Sequence, residues 1–148
     1  MYIVIGGGGI AGGALARDLI DRKHSVVVID PNREACEALY AQTGAVTVTG
    51  SALDINVLDE AGIGRADVAI GAMYRDVDNL TFALLARSRQ VPQVIVKMRD
   101  PAYRDAFLAA GVTTICDVVG MFRDRVNAAL DTEGRPAPQP EVTELQPV

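Results

Sequence analysis

A chain of 148 residues has room for one domain and little else, and its 49% hydrophobic fraction is ample for a single core. The formal net charge of −5, the 5% aromatic content and the absence of Trp exclude a surface that wraps a nucleic-acid backbone or stacks its bases. Two Cys and one His exclude a zinc cage of Cys/His ligands and a disulfide framework, so Cys36 and Cys116 read as small buried residues of a reducing cytosol.

Apolar runs and helical periods then alternate along the chain. Tyr2–Ile5 is a short apolar strand that stops at Gly6. From Gly12 to Arg22, Ala14, Leu15, Ala16, Leu19 and Ile20 recur at three and four, which predicts a helix. Ser25–Ile29 is a β-branched, buried strand. Asn32 caps a helix over Arg33 to Gln42 that Gly44 ends. Ala45–Thr49 is the third strand, Asp54 to Ala61 a short helix closed by Gly62, and Asp67–Ile70 the fourth strand. A longer helix runs from Asp76 to Gln90, and Pro92 sets off strand five, Gln93–Met98. A helix starting at Pro101 reaches Ala110 before Gly111. Val112–Cys116 is strand six and Val119–Leu130 the last helix.

No strand follows another directly, and parallel strands need such crossovers. The predicted fold class is α/β: a doubly wound, six-stranded parallel sheet of order 3-2-1-4-5-6 with helices on both faces. That domain occupies residues 1–131. Residues 132–148 carry Pro136, Pro138, Pro140 and Pro147 without apolar periodicity, and read as a disordered tail or linker. The uncharged stretch from Met1 to Ala16, as long as any in the chain, is too short to span a bilayer and is broken by glycines. The expectation is a cytoplasmic protein with no direct membrane insertion, acting at a membrane only by docking on a partner.

Six of the 14 glycines fall between Gly6 and Gly13. Two registers of G-x-G-x-x-G compete there; starting at Gly6 the last position is Ala11, whereas Gly7, Gly9 and Gly12 fill every position. In the second register Gly7 makes the turn out of the strand. Gly9 lets the backbone approach a pyrophosphate, and Gly12 lets the helix pack close to the sheet. The amides of Ile10, Ala11 and Gly12 then face the anion from the helix N-terminus. The motif follows a strand, opens a helix, and precedes an acid, Asp30, at the end of strand two, which makes the sheet Rossmann-type.

Asp30 suits the ribose hydroxyls of an adenosine ligand. It disfavours a 2′-phosphate, since like charges about 4 Å apart repel by about 4 kcal/mol at an effective dielectric of 20. NAD(H) is therefore the first choice, with ADP, ATP or AMP as alternatives, ahead of NADP(H). Arg33 could offset such a phosphate or be a solvated first-turn residue. Ser51 and Ala52 would flank the adenine, Ser51 having a turn role near Asp54 as its other reading. Ala72 and Met73 would line the ligand, and Lys97 could reach a phosphate or be solvated. Asp76, Asp78 and Asn79 read first as a helix-capping group. The candidate contact set is Gly7, Gly8, Gly9, Ile10, Ala11, Gly12, Asp30, Pro31, Asn32, Arg33, Ser51, Ala52, Ala72, Met73 and Lys97.

No metal site and no catalytic residue is expected. His24 precedes strand two at the amino edge of the sheet, and neither Cys has a His within reach. A nucleotide fold without catalytic groups points to a sensor, with an NAD-dependent oxidoreductase, or a nucleotide-binding fragment of one, as the alternative.

From about Met1 to Leu130 the chain resembles the RCK (also KTN or TrkA-N) family, nucleotide-binding domains that regulate potassium channels and transporters. The likeness is carried by Ile3 to Leu19, Val26-Val-Val-Ile-Asp30 and Thr49-Gly-Ser-Ala52, then Leu58-Asp-Glu-Ala-Gly-Ile63 and Ala66-Asp-Val-Ala-Ile70. Asp78-Asn-Leu80 and Val94-Ile-Val-Lys-Met-Arg-Asp-Pro101 complete it. The resemblance implies a phosphate loop at Gly7, Gly9 and Gly12 and a ribose held by Asp30 and Asn32. It also implies an adenine bordered by Ser51 and Ala52, with Lys97 near the phosphates. It implies a homodimer or higher homo-oligomer that packs through the helices after strands four and five and exchanges a helix near the domain's end. The stripe Val118, Phe122, Val126 and Ala129 suits that helix, or packing on its own sheet. A membrane potassium channel or transporter subunit is the implied partner. Ile10 stands where many relatives have Arg or Gln, Val119 where some have an acid, and a further C-terminal domain is usual.

Overall fold

The computed structural model describes residues 1–131; the predicted tail at 132–148 lies outside them. β-Branched and small apolar residues form the strands β1 (Tyr2–Gly6), β2 (Ser25–Asp30), β3 (Val46–Thr49), β4 (Val68–Gly71), β5 (Gln93–Met98) and β6 (Thr114–Asp117). All pair in parallel, in the order β3-β2-β1-β4-β5-β6. Between them run α1 (Ile10–Asp21), α2 (Arg33–Thr43), α3 (Ile55–Glu60), α4 (Asp76–Ser88) and α5 (Arg104–Ala109), with α6 (Val118–Leu130) last. The doubly wound Rossmann-type sheet expected from the alternation is the one observed.

Alternation along the strands divides the core in two. Ile3, Ile5, Val26, Val28, Val68 and Ile70 face α1 and α2 through Ala16 and Leu39. Val4, Val27, Ile29, Ala69, Val94 and Val96 face the opposite helices, meeting Leu58, Phe82, Ala86 and Phe107. The Phe82 ring is fully buried against Gly6, where an added Cβ would come within 2.9 Å of it. That contact gives Gly6 a packing role and leaves the turn to Gly7.

The expected caps form. Asn32 Oδ1 accepts from Ala35 N at 3.1 Å, and Gly44 closes α2 at φ +74°. Asp100 accepts from Ala102 N ahead of α5, with Pro101 starting the turn.

Some boundaries moved. Helix α1 starts at Ile10, two residues before the periodic apolar pattern, because its first turn is largely exposed and carries no core residue until Gly12. Strand β6 starts at Thr114 rather than Val112. Val112 N still closes the α5 turn on Phe107 O, and Thr113 donates N–H and hydroxyl to Val94 O. A 3₁₀ turn, Ile63–Arg65, was too short to show as a period. Cys36 is buried as expected, but Cys116 is only half-buried.

An ion pair ties the ends of α3 and α4. Arg89 donates Nε and Nη2 to Asp59 at 2.8 and 2.9 Å. The hydrogen bonds from Arg89, opposed by desolvation and helped by the guanidinium charge, hold the Asp59 carboxyl below its ordinary value of 3.8. A lowered folded-state value stabilises above the unfolded value and loses that contribution as pH falls through the folded one. Arg89→Met should therefore be less stable than the parent chain at neutral pH, with the gap closing below about pH 4 and shrinking in high salt. Chemical denaturation across pH and salt checks this.

Candidate functional site

The bend from β1 into α1 is built from glycine for two separable reasons. Gly7 holds φ +110°, a region that side chains rarely adopt, while its N–H donates to Ile29 O at 2.9 Å. Gly12 lies so close to the strand that an added Cβ would overlap the Gly7 carbonyl oxygen. Gly9 has neither constraint: its φ is −72°, and a Cβ there would meet nothing within 4 Å. The fold does not need glycine at Gly9, and the missing side chain leaves its backbone bare.

The same bend exposes donors. Gly9 caps α1 without a side-chain hydrogen bond, and the amides of Gly9, Ile10, Ala11 and Gly12 have no acceptor among the described residues. These are the unpaired N–H groups of a helix start, at its positive end. Ile10 turns its side chain to solvent, 96% exposed, so it does not plug the loop.

Asp30, at the carboxyl end of β2, faces this loop. Its Oδ2 accepts from Gly8 N at 2.9 Å and its Oδ1 from Asn32 N at 2.8 Å. Each carboxylate oxygen has a second lone pair, so both remain able to accept from ribose hydroxyls. Pro31 and Asn32 are exposed beside it, with the Asn32 side chain engaged in capping α2. Arg33 pairs with Glu37 at 3.2 Å along exposed α2, which matches the solvated reading of this residue. Ser51 makes a turn, its Oγ accepting from Leu53 N at 3.1 Å and its carbonyl from Asp54 N. Ala52 is buried, its methyl packed in the core near Gly6, so its side chain does not border the site.

The opposite wall is Ala72, Met73 and Lys97, all half-buried at the ends of β4 and β5. Lys97 has no carboxylate partner among the described residues. Asp76 and Asn79 hold this wall and do not cap their helix. Asn79 is fully buried; its Oδ1 accepts from Met73 N, and its Nδ2 donates to Met73 O and Lys97 O. Asp76 accepts from Arg99 N and Asp100 N, both at 2.8 Å. An acid and an amide at a helix start fit a capping role by sequence, whereas here they bind the Met73 backbone just before the helix, Lys97 O in β5, and the amides of Arg99 and Asp100 just beyond it. Nearby, the Arg99 guanidinium lies 4.0 Å from the Tyr74 ring centroid.

A cavity of about 570 Å³ opens at Gly8, Gly9 and Ile10 and runs down between α1 and α2 past Arg17, Ala38 and Gln42. It shares the glycine loop with the strand-end site but includes neither Asp30 nor Ala72, Met73 or Lys97. His24 sits at the opposite edge of the sheet, its Nδ1 3.1 Å from the Met1 amine. Among the described residues no His, Cys, Asp and Glu cluster suits a metal, and no helix is long and apolar enough to cross a membrane.

The sequence that builds this loop, helix start and strand-two acid lies within the span matched by a family model. The TrkA-N domain model covers residues 2–117 of the chain. The chain belongs to the TrkA-N family. This TrkA-N domain is 35% identical over 112 residues to the Trk system potassium uptake protein TrkA homolog of Methanothermobacter thermautotrophicus, covering 76% of the chain and 52% of that relative. It is 34% identical over 119 residues to the Trk system potassium uptake protein TrkA of Streptomyces coelicolor, covering 80% and 53%. The chain thus spans about half the length of these relatives. Among solved structures, the GsuK channel bound to NAD matches with TM-score 0.73 and 28% identity, over 81% of this chain and 22% of that one. GsuK bound to ADP matches at 0.72. The TrkA-N domain of the inner membrane protein ybaL from Escherichia coli matches at 0.82 with 16% identity, over 88% and 96%, a likeness of fold.

Proposed function

We propose that this domain is a regulatory nucleotide sensor for a membrane potassium channel or transporter, with NAD(H), or otherwise AMP, ADP or ATP, as its ligand. The observation that carries the reading is the set of four unpartnered amides from Gly9 to Gly12 opposite the Asp30 carboxylate. They suit a phosphate and a ribose respectively. The family's potassium-uptake members and the NAD and ADP forms of GsuK support it.

The domain acts from the cytoplasm as a homodimer or higher homo-oligomer. Support lies in α6: every residue from Met121 to Leu130 is exposed, including Phe122 at 72% and Leu130 at 72%. Within its apolar stripe Phe122 and Val126 are left exposed by the described residues, and a second copy would cover them. Val77, Leu84 and Leu108 add exposed apolar area on α4 and α5. A nucleotide shifts the assembly only by binding its two arrangements unequally.

The test is a melting-temperature titration of the full chain with NADH, NAD, AMP, ADP and ATP. A ligand at 100 times its Kd adds about 2.7 kcal/mol, a rise of roughly 10 °C for a domain of this size. No shift with any of the five overturns the proposal. Steady absorbance of NADH in the presence of carbonyl substrates is expected; its decay would favour the oxidoreductase reading.

A further inference from the structure

We propose that Asp76 and Asn79 are positioning residues of the nucleotide crevice, fastening its β4 and β5 wall to the first turn of α4. This rests on the nucleotide reading above. Three observations carry it. The buried Asn79 amide uses three of its hydrogen bonds on crevice backbone, two to Met73 and one to Lys97. The nearly buried Asp76 carboxylate binds the next two amides beyond β5, those of Arg99 and Asp100. Gly71, the last residue of β4, leaves room for this clamp, since an added Cβ would sit 3.0 Å from Asn79 Oδ1.

Neither side chain serves α4 itself, whose N-cap, Arg75, has no side-chain cap. Asp and Asn in a first turn ordinarily satisfy their own helix's amides. Here they bind Met73 in the turn after β4, Lys97 O near the end of β5, and the amides of Arg99 and Asp100 in the turn beyond it. The backbone of Met73 and the strand end bearing Lys97 are thereby set at one height relative to α4. The glycine loop and Asp30 lie across the crevice, on β1 and β2, and make none of these bonds.

This division predicts a selective effect. AMP, held by the helix-start amides and Asp30, uses the β1–β2 side alone. NADH continues past the loop toward the ends of β4 and β5. Asn79→Ala and Asp76→Ala should each weaken NADH binding about tenfold while AMP affinity stays within about twofold, as expected for losing one or two ordering hydrogen bonds on one wall. A general loss of stability would weaken both ligands together.

The experiment is isothermal titration of NADH and of AMP into the full chain and both variants, well below their melting temperatures. Amide exchange is followed at Met73, Arg99 and Asp100. Asn79→Ala should speed exchange at Met73, and Asp76→Ala at Arg99 and Asp100. If Asn79→Ala does not fold, Asp76→Ala, nearer the surface, decides alone. An unchanged NADH-to-AMP affinity ratio, with parent binding intact, overturns the positioning role and leaves the nucleotide reading standing. Absence of NADH and AMP binding to the parent chain overturns both.

Discussion

Gly12→Ala should cost the domain about 3 kcal/mol, lowering its melting temperature by roughly 10 °C, and should abolish nucleotide binding. The added methyl meets the Gly7 carbonyl, an atom of backbone that cannot rotate away. Gly7 is pinned in turn by its bond to Ile29 O, and α1 by the packing of Ala16 against the sheet. Relief therefore requires α1 to swing out, which displaces the amides of Ile10 to Gly12. Gly9→Ala separates stability from binding. Open space surrounds that position and its φ suits any residue, so melting should move by no more than about 0.5 kcal/mol equivalent. Nucleotide affinity should nonetheless fall, because the methyl stands where the phosphate must approach. Thermal melts paired with AMP titration read both effects. A Gly9→Ala chain that binds AMP like the parent would remove the reason for keeping this backbone bare.

Asp30→Ala should weaken AMP and NADH between about tenfold and a hundredfold, the worth of charged hydrogen bonds of 1.5–3 kcal/mol to the ribose. Stability should change less. The Gly8 and Asn32 amides lose their carboxylate acceptors, but both lie where water can replace it. The same substitution should raise the affinity for NADPH relative to NADH, since the charge that repels a 2′-phosphate is gone. Competition titrations with both cofactors measure the ratio. Unaltered affinity for every ligand would detach Asp30 from the site.

The layered sheet was legible because its signals are local. The β-branched run at Val26–Ile29, the capping Asn32 with Gly44, and Pro101 after β5 each announce an element within a few residues. Strand order followed from the alternation of strand and helix together with the handedness of crossovers. The glycine register was legible too, since only Gly7, Gly9 and Gly12 satisfy the spacing, and the clash at Gly12 and the positive φ at Gly7 give it a steric basis.

What stayed hidden depends on pairings that only the fold makes. Asp76 looks like a cap until Arg99 and Asp100 are seen beside it, and Asn79 until Met73 and Lys97 close around its amide. The stripe on α6 reads equally well as core or as interface, and only folding shows that its own sheet leaves Phe122 and Val126 in solvent. By itself the sequence determined which segments are strands and helices and where the chain must bend, because periodicity, caps and glycine sterics act over one or two turns. The tertiary structure alone decided which backbone groups Asp76 and Asn79 bind and that the described residues leave Phe122 and Val126 exposed, because those outcomes depend on what parallel pairing brings alongside.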